Sequence, residues 1–281
     1  MTREPQPHDP CPVAPAWATG LWKRDFIRFA DGTTDSRTEV YWGQTGSLFV
    51  DLRVPADRPL ANGRDSFDAF TPDELIALAD QKGFAGHIEV TDDDCQWIRY
   101  IDYRPATGRP DKGRLRIAGD ELWEEGGADT VIGAAYQELY HRVARADAVA
   151  IALRQVAPLG APDAIIIVIA DRFMFARSRP RPLPHAESLG DLAISARNNR
   201  ALLHAYLDCE IAWGKVSGAI PWTIERSTLP FREGRQLVSA EFRPAAHTPD
   251  VLIGGPAAES TWRIISSSLP QDRMIKLLNH R

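Results

Sequence analysis

Alternation of apolar and polar residues dominates the first half of the chain. In Ser47–Val54 (SLFVDLRV), Leu48, Val50, Leu52 and Val54 fall on one face of a strand, and Phe49, Asp51 and Arg53 on the other. Runs of the same kind occupy Trp22–Phe29, Thr38–Gln44, Gly86–Val90, Cys95–Arg104, Arg114–Ala118, Glu121–Glu125, Tyr136–Ala144 and Val149–Gln155. Asp31-Gly32 and Gly119-Asp120 supply turns between them. One segment breaks the period: Thr71 as N-cap, Pro72 at the first helical position and Glu74 completing a capping box predict a helix over Pro72–Lys82 that Gly83 stops. Short strands at regular spacing with a single early helix point to an antiparallel barrel or sandwich, not to alternating βαβ units.

The second half is more aliphatic. Ile165–Arg177 and Ala201–Trp213 read as long strands and Ala186–Ala196 as a short helix, with weaker strands at Trp222–Arg226, Gln236–Arg243 and Thr261–Ser266. Residues 1–19 are polar, Pro-rich and aperiodic, and read as a flexible N-terminal arm without the apolar run of a signal peptide. The expected division is that arm, a first unit over 20–145 and a second over 146–281 used for support or dimerisation.

Composition narrows the function classes. The 281 residues are 44% hydrophobic and 25% charged with a net charge of −5, so the basic surface of a nucleic-acid binder is missing. Cys11, Cys95 and Cys209 are too few and too scattered for a disulfide framework. With no apolar run long enough to span a bilayer, they make cytoplasmic residence the expectation. The expected partner is a small ligand, with no nucleic acid and no membrane, and a homodimer is an open alternative. No dinucleotide fingerprint, phosphate loop, nucleophile elbow or HExxH is present, and none of the seven histidines pairs with another at a metal-ligand spacing. The expectation is therefore no cofactor and no metal.

Several blocks occur in an order that resembles the HRI1-like family, first met in fungi and with bacterial relatives: VYWGQTGSLFVDLRVP (40–55), YQELYHRV (136–143), DAIIIVIADRFMF (163–175) and AYLDCEIAWGKV (205–216). The resemblance runs over roughly residues 20–240. It implies two lipocalin-like antiparallel β-barrels, which agrees with the strand pattern, with one or two short helices. It implies no reaction.

Candidate chemistry lies on strands that combine charge with aromatic residues. Asp51 and Arg53 share a face with Phe49. They are either a solvated face or, if turned inward, a pair that must be compensated or hold a polar ligand. The aliphatic opposite face favours the inward choice. Trp42 and Gln44 share a face and, with Trp97, could form an aromatic wall with one orienting amide; the alternative is plain core. By simple alternation Trp97, Arg99, Ile101 and Tyr103 share one face and Tyr100, Asp102 and Arg104 the other. Tyr136, Glu138 and Tyr140 share a third stripe, in a cavity or on an exposed strand edge. The second half offers His204, Tyr206, Asp208 and Glu210, read as a solvated stripe.

These residues suggest a cofactor-independent lyase or isomerase acting on a small apolar or aromatic molecule. Arg53 or Arg99 would stabilise an anion, Glu138 or Asp51 would act as base, and Tyr136 as acid, with Trp42, Gln44, Phe49, Trp97 and Tyr103 around the ligand. A non-catalytic carrier of a small lipophilic ligand and an interaction protein with filled barrels are the competing readings.

Overall fold

The computed structural model describes residues 12–147, 149–156, 162–239, 241–246, 248, 250–255 and 258–280. The first half contains β1 (Gly20–Phe29), β2 (Thr34–Asp35), β3 (Glu39–Gln44), β4 (Phe49–Val54), α1 (Pro72–Leu78), β5 (Lys82–Thr91), β6 (Asp94–Asp102), β7 (Lys112–Ala118), β8 (Glu121–Gly126) and β9 (Tyr136–Ala144). Strands β1 and β3 to β9 pair antiparallel in sequence order, and β9 pairs back onto β1, so eight strands close a barrel. The two residues of β2 only extend its rim beside Ile27 and Arg28.

Alternation on β4 decides which way the barrel faces. Leu48, Val50, Leu52 and Val54 point outward into a core shared with the second half, while Phe49 packs inside among Trp22, Trp42, Phe84 and Trp97. Residues 12–19 were read as part of an arm. Ala14 and Ala18 belong to the interior cluster, the Ala14 N–H donates to the Gly46 carbonyl at 2.9 Å, and the Trp22 indole donates to the Ala18 carbonyl at 3.0 Å. They cover the end of the barrel where Trp22 and Phe49 sit. Residues 1–11 of the arm lie outside the described residues.

The second half contains β10 (Ala150–Gln155), β11 (Ala164–Ile169), β12 (Arg172–Arg177), α2 (Leu189–Ser195), α3 (Arg200–Leu207), β13 (Glu210–Lys215), β14 (Thr223–Ser227), β15 (Phe242–Pro244), β16 (Val251–Gly255), β17 (Ala258–Ser267) and α4 (Gln271–Leu278). Its strand order is β14-β13-β12-β11-β10-β17-β16-β15. Here the expectation of a second closed barrel is corrected: among the described residues β14 and β15 do not pair. Both edges are blunted. The backbone of β14 is engaged by the segment after it, through Ile224 N–H to Arg235 O and Gly234 N–H to Ile224 O, and β15 has three residues ending in Pro244.

This sheet is buried on both faces, which is why β11 reads AIIIVI without alternation. Ile165, Ile167 and Ile169 face the barrel with Met174, Ile211 and Trp213; Ile166 and Val168 face Phe173, Trp222, Phe242 and α4. The apolar run 165–177 is a hairpin turning at Ala170, which has φ 54°, and Asp171. The run 201–213 is a helix followed by a strand: Asn199 caps α3 by accepting from Leu202 N–H at 3.1 Å, and Leu203 and Leu207, four apart, bury one face. Four short α-helices therefore replace the expected one or two. The predicted capping box of α1 is present, but the helix ends at Leu78 and the chain enters β5 at Lys82.

Candidate functional site in the barrel lumen

Two bulges set the geometry of the lumen. In β6 the register shifts between Gly86/Arg99 and Ala85/Ile101, leaving Tyr100 without an opposite residue. The bulge needs Gly86, where a Cβ would lie 1.8 Å from the Ile98 carbonyl oxygen. Trp97 and Arg99 point inward before it, and Asp102 and Arg104 inward after it. Ile101 and Tyr103 are thereby turned outward into the shared core. Tyr103 is fully buried there, donating its hydroxyl to the Leu78 carbonyl at 3.0 Å, so it stands apart from the lumen. In β1 a similar shift between Arg24 and Phe26 keeps Trp22 and Arg24 inward, followed by Ile27 and Phe29.

The lumen holds a cavity of about 250 Å³. Trp42, Phe84, Trp97 and Tyr140 form its aromatic wall, and Asp51, Arg53, Arg99, Glu124 and Tyr136 also line it. Gln44 and Phe49 lie deeper, toward the covered end. Gln44 donates to the Thr45 carbonyl at 2.7 Å, and Phe49 packs edge-on to Phe84 at 5.8 Å. The indole N–H of Trp42 is buried without a partner among the described residues, although the ring lines the cavity. A buried donor left unpaired costs about 1–3 kcal/mol.

The charged groups form two chains. In the first, Asp35 accepts from Arg24 at 3.2 Å, Arg24 donates to Glu138 at 2.6 Å, Arg53 donates to the same Glu138 oxygen at 3.2 Å, and Arg53 also clamps Asp51 at 2.9 and 3.3 Å. Tyr140 donates to the other Glu138 oxygen at 2.5 Å. In the second, Arg99 bridges Asp102 at 2.6 Å and Asp111 at 2.5 and 3.0 Å while lying over the Phe84 ring at 3.6 Å. Glu138 is fully enclosed behind this network and does not line the cavity. Burial alone would raise its carboxyl, but Arg53 and Arg24 override burial and hold it below the ordinary value, as a carboxylate.

Glu124 is the counterpart. It lies directly opposite Glu138 across β8 and β9 and accepts from the Tyr136 hydroxyl at 2.6 Å. Burial first, and the Glu138 charge second, push it well above the usual carboxylate range, so it holds its proton more tightly than an ordinary carboxyl. Burial also raises Asp51, with the Arg53 guanidinium opposing the rise, and the Tyr136 hydroxyl is held far above its ordinary range. A carboxyl that holds its proton tightly, beside one that gives its proton up readily, is an arrangement able to donate a proton into the cavity.

Of the residues chosen from sequence, Asp51, Arg53, Arg99, Tyr136, Trp42 and Trp97 meet around one cavity, Glu138 sits behind it, Gln44 and Phe49 lie beneath it, and Tyr103 is elsewhere. Alternation in ELWEEG places Glu124 on the face of Leu122 and could have flagged it. Arg24, Asp111 and Arg104 carry no such signal, because bulges or loops place them. Among the described residues no cluster of His, Cys, Asp and Glu could hold a metal ion, and no helix is long and apolar enough to cross a membrane.

A closed eight-stranded antiparallel barrel joined to a second sheet defines the class of fold. The chain is similar in structure to the uncharacterized protein YLR301w of Saccharomyces cerevisiae, with a TM-score of 0.53, 13% identity, and coverage of 89% of this chain and 98% of that one. At that identity the likeness shows the fold. No protein-family model and no curated protein matches the chain.

Proposed function

We propose that the protein binds a small, ring-bearing molecule in the lumen of its first barrel. The observation that carries this reading is the cavity of about 250 Å³ walled by Trp42, Phe84 and Trp97; the Trp42 indole N–H, itself buried, has no partner among the described residues. An enclosed aromatic wall with a few placed polar groups is the ordinary construction of a small-molecule site. A cavity of about 150 Å³ admits benzene, so this one has room for a single ring with a short substituent. The test is a panel of one- and two-ring compounds followed by tryptophan fluorescence and calorimetry. We expect stoichiometric binding that Trp42→Phe weakens by about tenfold for ligands bearing a hydrogen-bond acceptor. A panel that leaves the fluorescence unchanged throughout removes the reading.

A second reading, proton-transfer chemistry of the lyase or isomerase type, is favoured by one specific observation: Glu124 and Asp51 both line the cavity and both have raised carboxyls. Glu124 with Tyr136 would serve as acid and Asp51 as base, in place of the enclosed Glu138. Exchange of ligand hydrogens in D2O, lost in Asp51→Asn and Glu124→Gln but with binding kept, is the expected signature. Binding without exchange in the native protein counts against it. The order of the sequence blocks and the likeness in fold support placing the chain among HRI1-like proteins. Cys95 and Cys209, buried and unpaired, support a reducing compartment such as the cytoplasm.

A further inference from the structure

Three cations stand in a row across the open end of the barrel. Arg53 on β4 is the direct partner of Lys82 on β5. The β5–β6 register pairs Phe84 with Asp102, and the Tyr103 N–H donates to the Gly83 carbonyl at 2.9 Å, so the ladder continues and sets Arg104 opposite Lys82. Like charges placed directly opposite one another in a sheet are destabilising unless something neutralises them. Arg53 is neutralised by Asp51 and Glu138. Lys82 and Arg104 line the same cavity, and among the described residues neither forms an ion pair. Asp80, exposed at this rim, forms none with them either, and the nearby acids Asp102 and Asp111 are engaged by Arg99.

Partial loss of water, then Arg104 and Arg53, lower the Lys82 ammonium to about 8, and burial with Arg99 and Arg53 lowers Arg104, although Asp102 opposes that shift. Both groups thus stand beside other cations, and the acids that reach Arg104, Asp102 and Asp111, are the ones Arg99 engages. Every arginine deeper in the barrel already has its carboxylate. The unmet demand for an anion is confined to the mouth, directly above the aromatic wall.

Resting on the lumen as a small-molecule site, we infer that the natural ligand is an organic anion: a carboxylate held between Lys82 and Arg104, with its ring running inward along Phe84 and Trp97 toward the Trp42 N–H. Arg104 offers a planar fork that matches a carboxylate, and Lys82 adds a point charge from the neighbouring strand. The second acceptor that Trp42 calls for would lie at the far end of the ring, as a hydroxyl or carbonyl oxygen.

The test compares two probes of nearly equal shape, phenylacetate and phenylacetamide, titrated into the full-length protein at pH 7. The readouts are tryptophan fluorescence and calorimetry. The expected result is a preference for the anion of tenfold or more. Arg104→Gln and Lys82→Gln should each cut that preference at least fivefold, by weakening the anion more than the amide. Lys82 is exposed at the rim, so Lys82→Gln should fold even if Arg104→Gln does not. Raising the pH from 7 through about 8 should also reduce the preference in the native protein but not in Lys82→Gln. Equal binding of both probes, or tighter binding of the amide, overturns the anion assignment and leaves the lumen site standing. If neither probe binds while other ring compounds of the panel do, the anion assignment falls and the lumen reading stands; if the whole panel fails, both fall.

Discussion

Glu138 and Glu124 face each other across two strands, yet the barrel shifts their acidities in opposite directions. Glu138 accepts from Arg24, Arg53 and Tyr140, and its replacement by Gln leaves two arginines buried with too little negative charge. Breaking a buried network by removing one partner costs about 3–5 kcal/mol, which urea denaturation of Glu138→Gln should reproduce. Glu124→Gln replaces one neutral group by another and should cost under about 1 kcal/mol near pH 5. The two carboxyls also bend the pH profile in opposite senses. Glu138, held below its ordinary 4.5, contributes stability that is present above that value and lost as pH falls through its folded value. Glu124, held above 4.5, contributes stability that is complete below that value and lost as pH rises through its raised folded value. Glu124→Gln should therefore gain on the native protein steadily as pH rises from about 4.5. A stability difference that stays flat with pH would show that Glu124 is ionised throughout.

At the scale of elements, alternation reveals a strand's faces only while the register holds. On β4 it holds, and the split between Leu48, Val50, Leu52, Val54 and Phe49, Asp51, Arg53 appears unchanged in the barrel wall. On β6 it fails at Tyr100, and the reading of Tyr103 as a companion of Trp97 fails with it, because one extra residue inverts every face that follows. Nothing in CQWIRYIDYR announces the bulge; the requirement sits on the neighbouring strand, at Gly86. Gly86→Ala should cost about 2–3 kcal/mol through overpacking against the Ile98 carbonyl. It should also disturb Asp102 and Arg104 downstream, visible as chemical-shift changes at those amides that exceed any on β8. The run 201–213 misleads for a different reason. A helix and a strand join there without a glycine or proline, and only the spacing of Leu203 and Leu207 separates them.

Across the whole molecule, the outer face of β4 and one face of β11 to β13 form a single core, so neither half encloses its apolar residues without the other. Arg179 fastens the seam, donating to the Asp102 carbonyl at 2.9 Å and to the carbonyls of Tyr103 and Tyr206. Arg58 and Gln81 add bonds to the Ser227 and Thr228 carbonyls, each at 3.0 Å. Replacing Arg179 by Ala strands three carbonyls and should cost about 3 kcal/mol. Because the core is shared, that loss should appear as one earlier transition, coincident by tryptophan fluorescence and far-ultraviolet circular dichroism. Two separate steps would mean that the halves fold independently. The sequence shows that the second half is richer in aliphatic residues; that its sheet is covered on both faces emerges only when α4 and the barrel are in place.

The stopper formed by Ala14 and Ala18 has a kinetic corollary. With the Trp22 end of the barrel covered, a molecule bound in the lumen as proposed would enter and leave by the opposite end, where Lys82 and Arg104 stand. Traffic through such a blind alley is strictly alternating: a second molecule cannot push the first out from behind. A tenfold excess of competitor should then leave the measured departure rate of a bound probe unchanged. Added salt, which screens the rim charges, should slow arrival of an anionic probe far more than that of its neutral analogue.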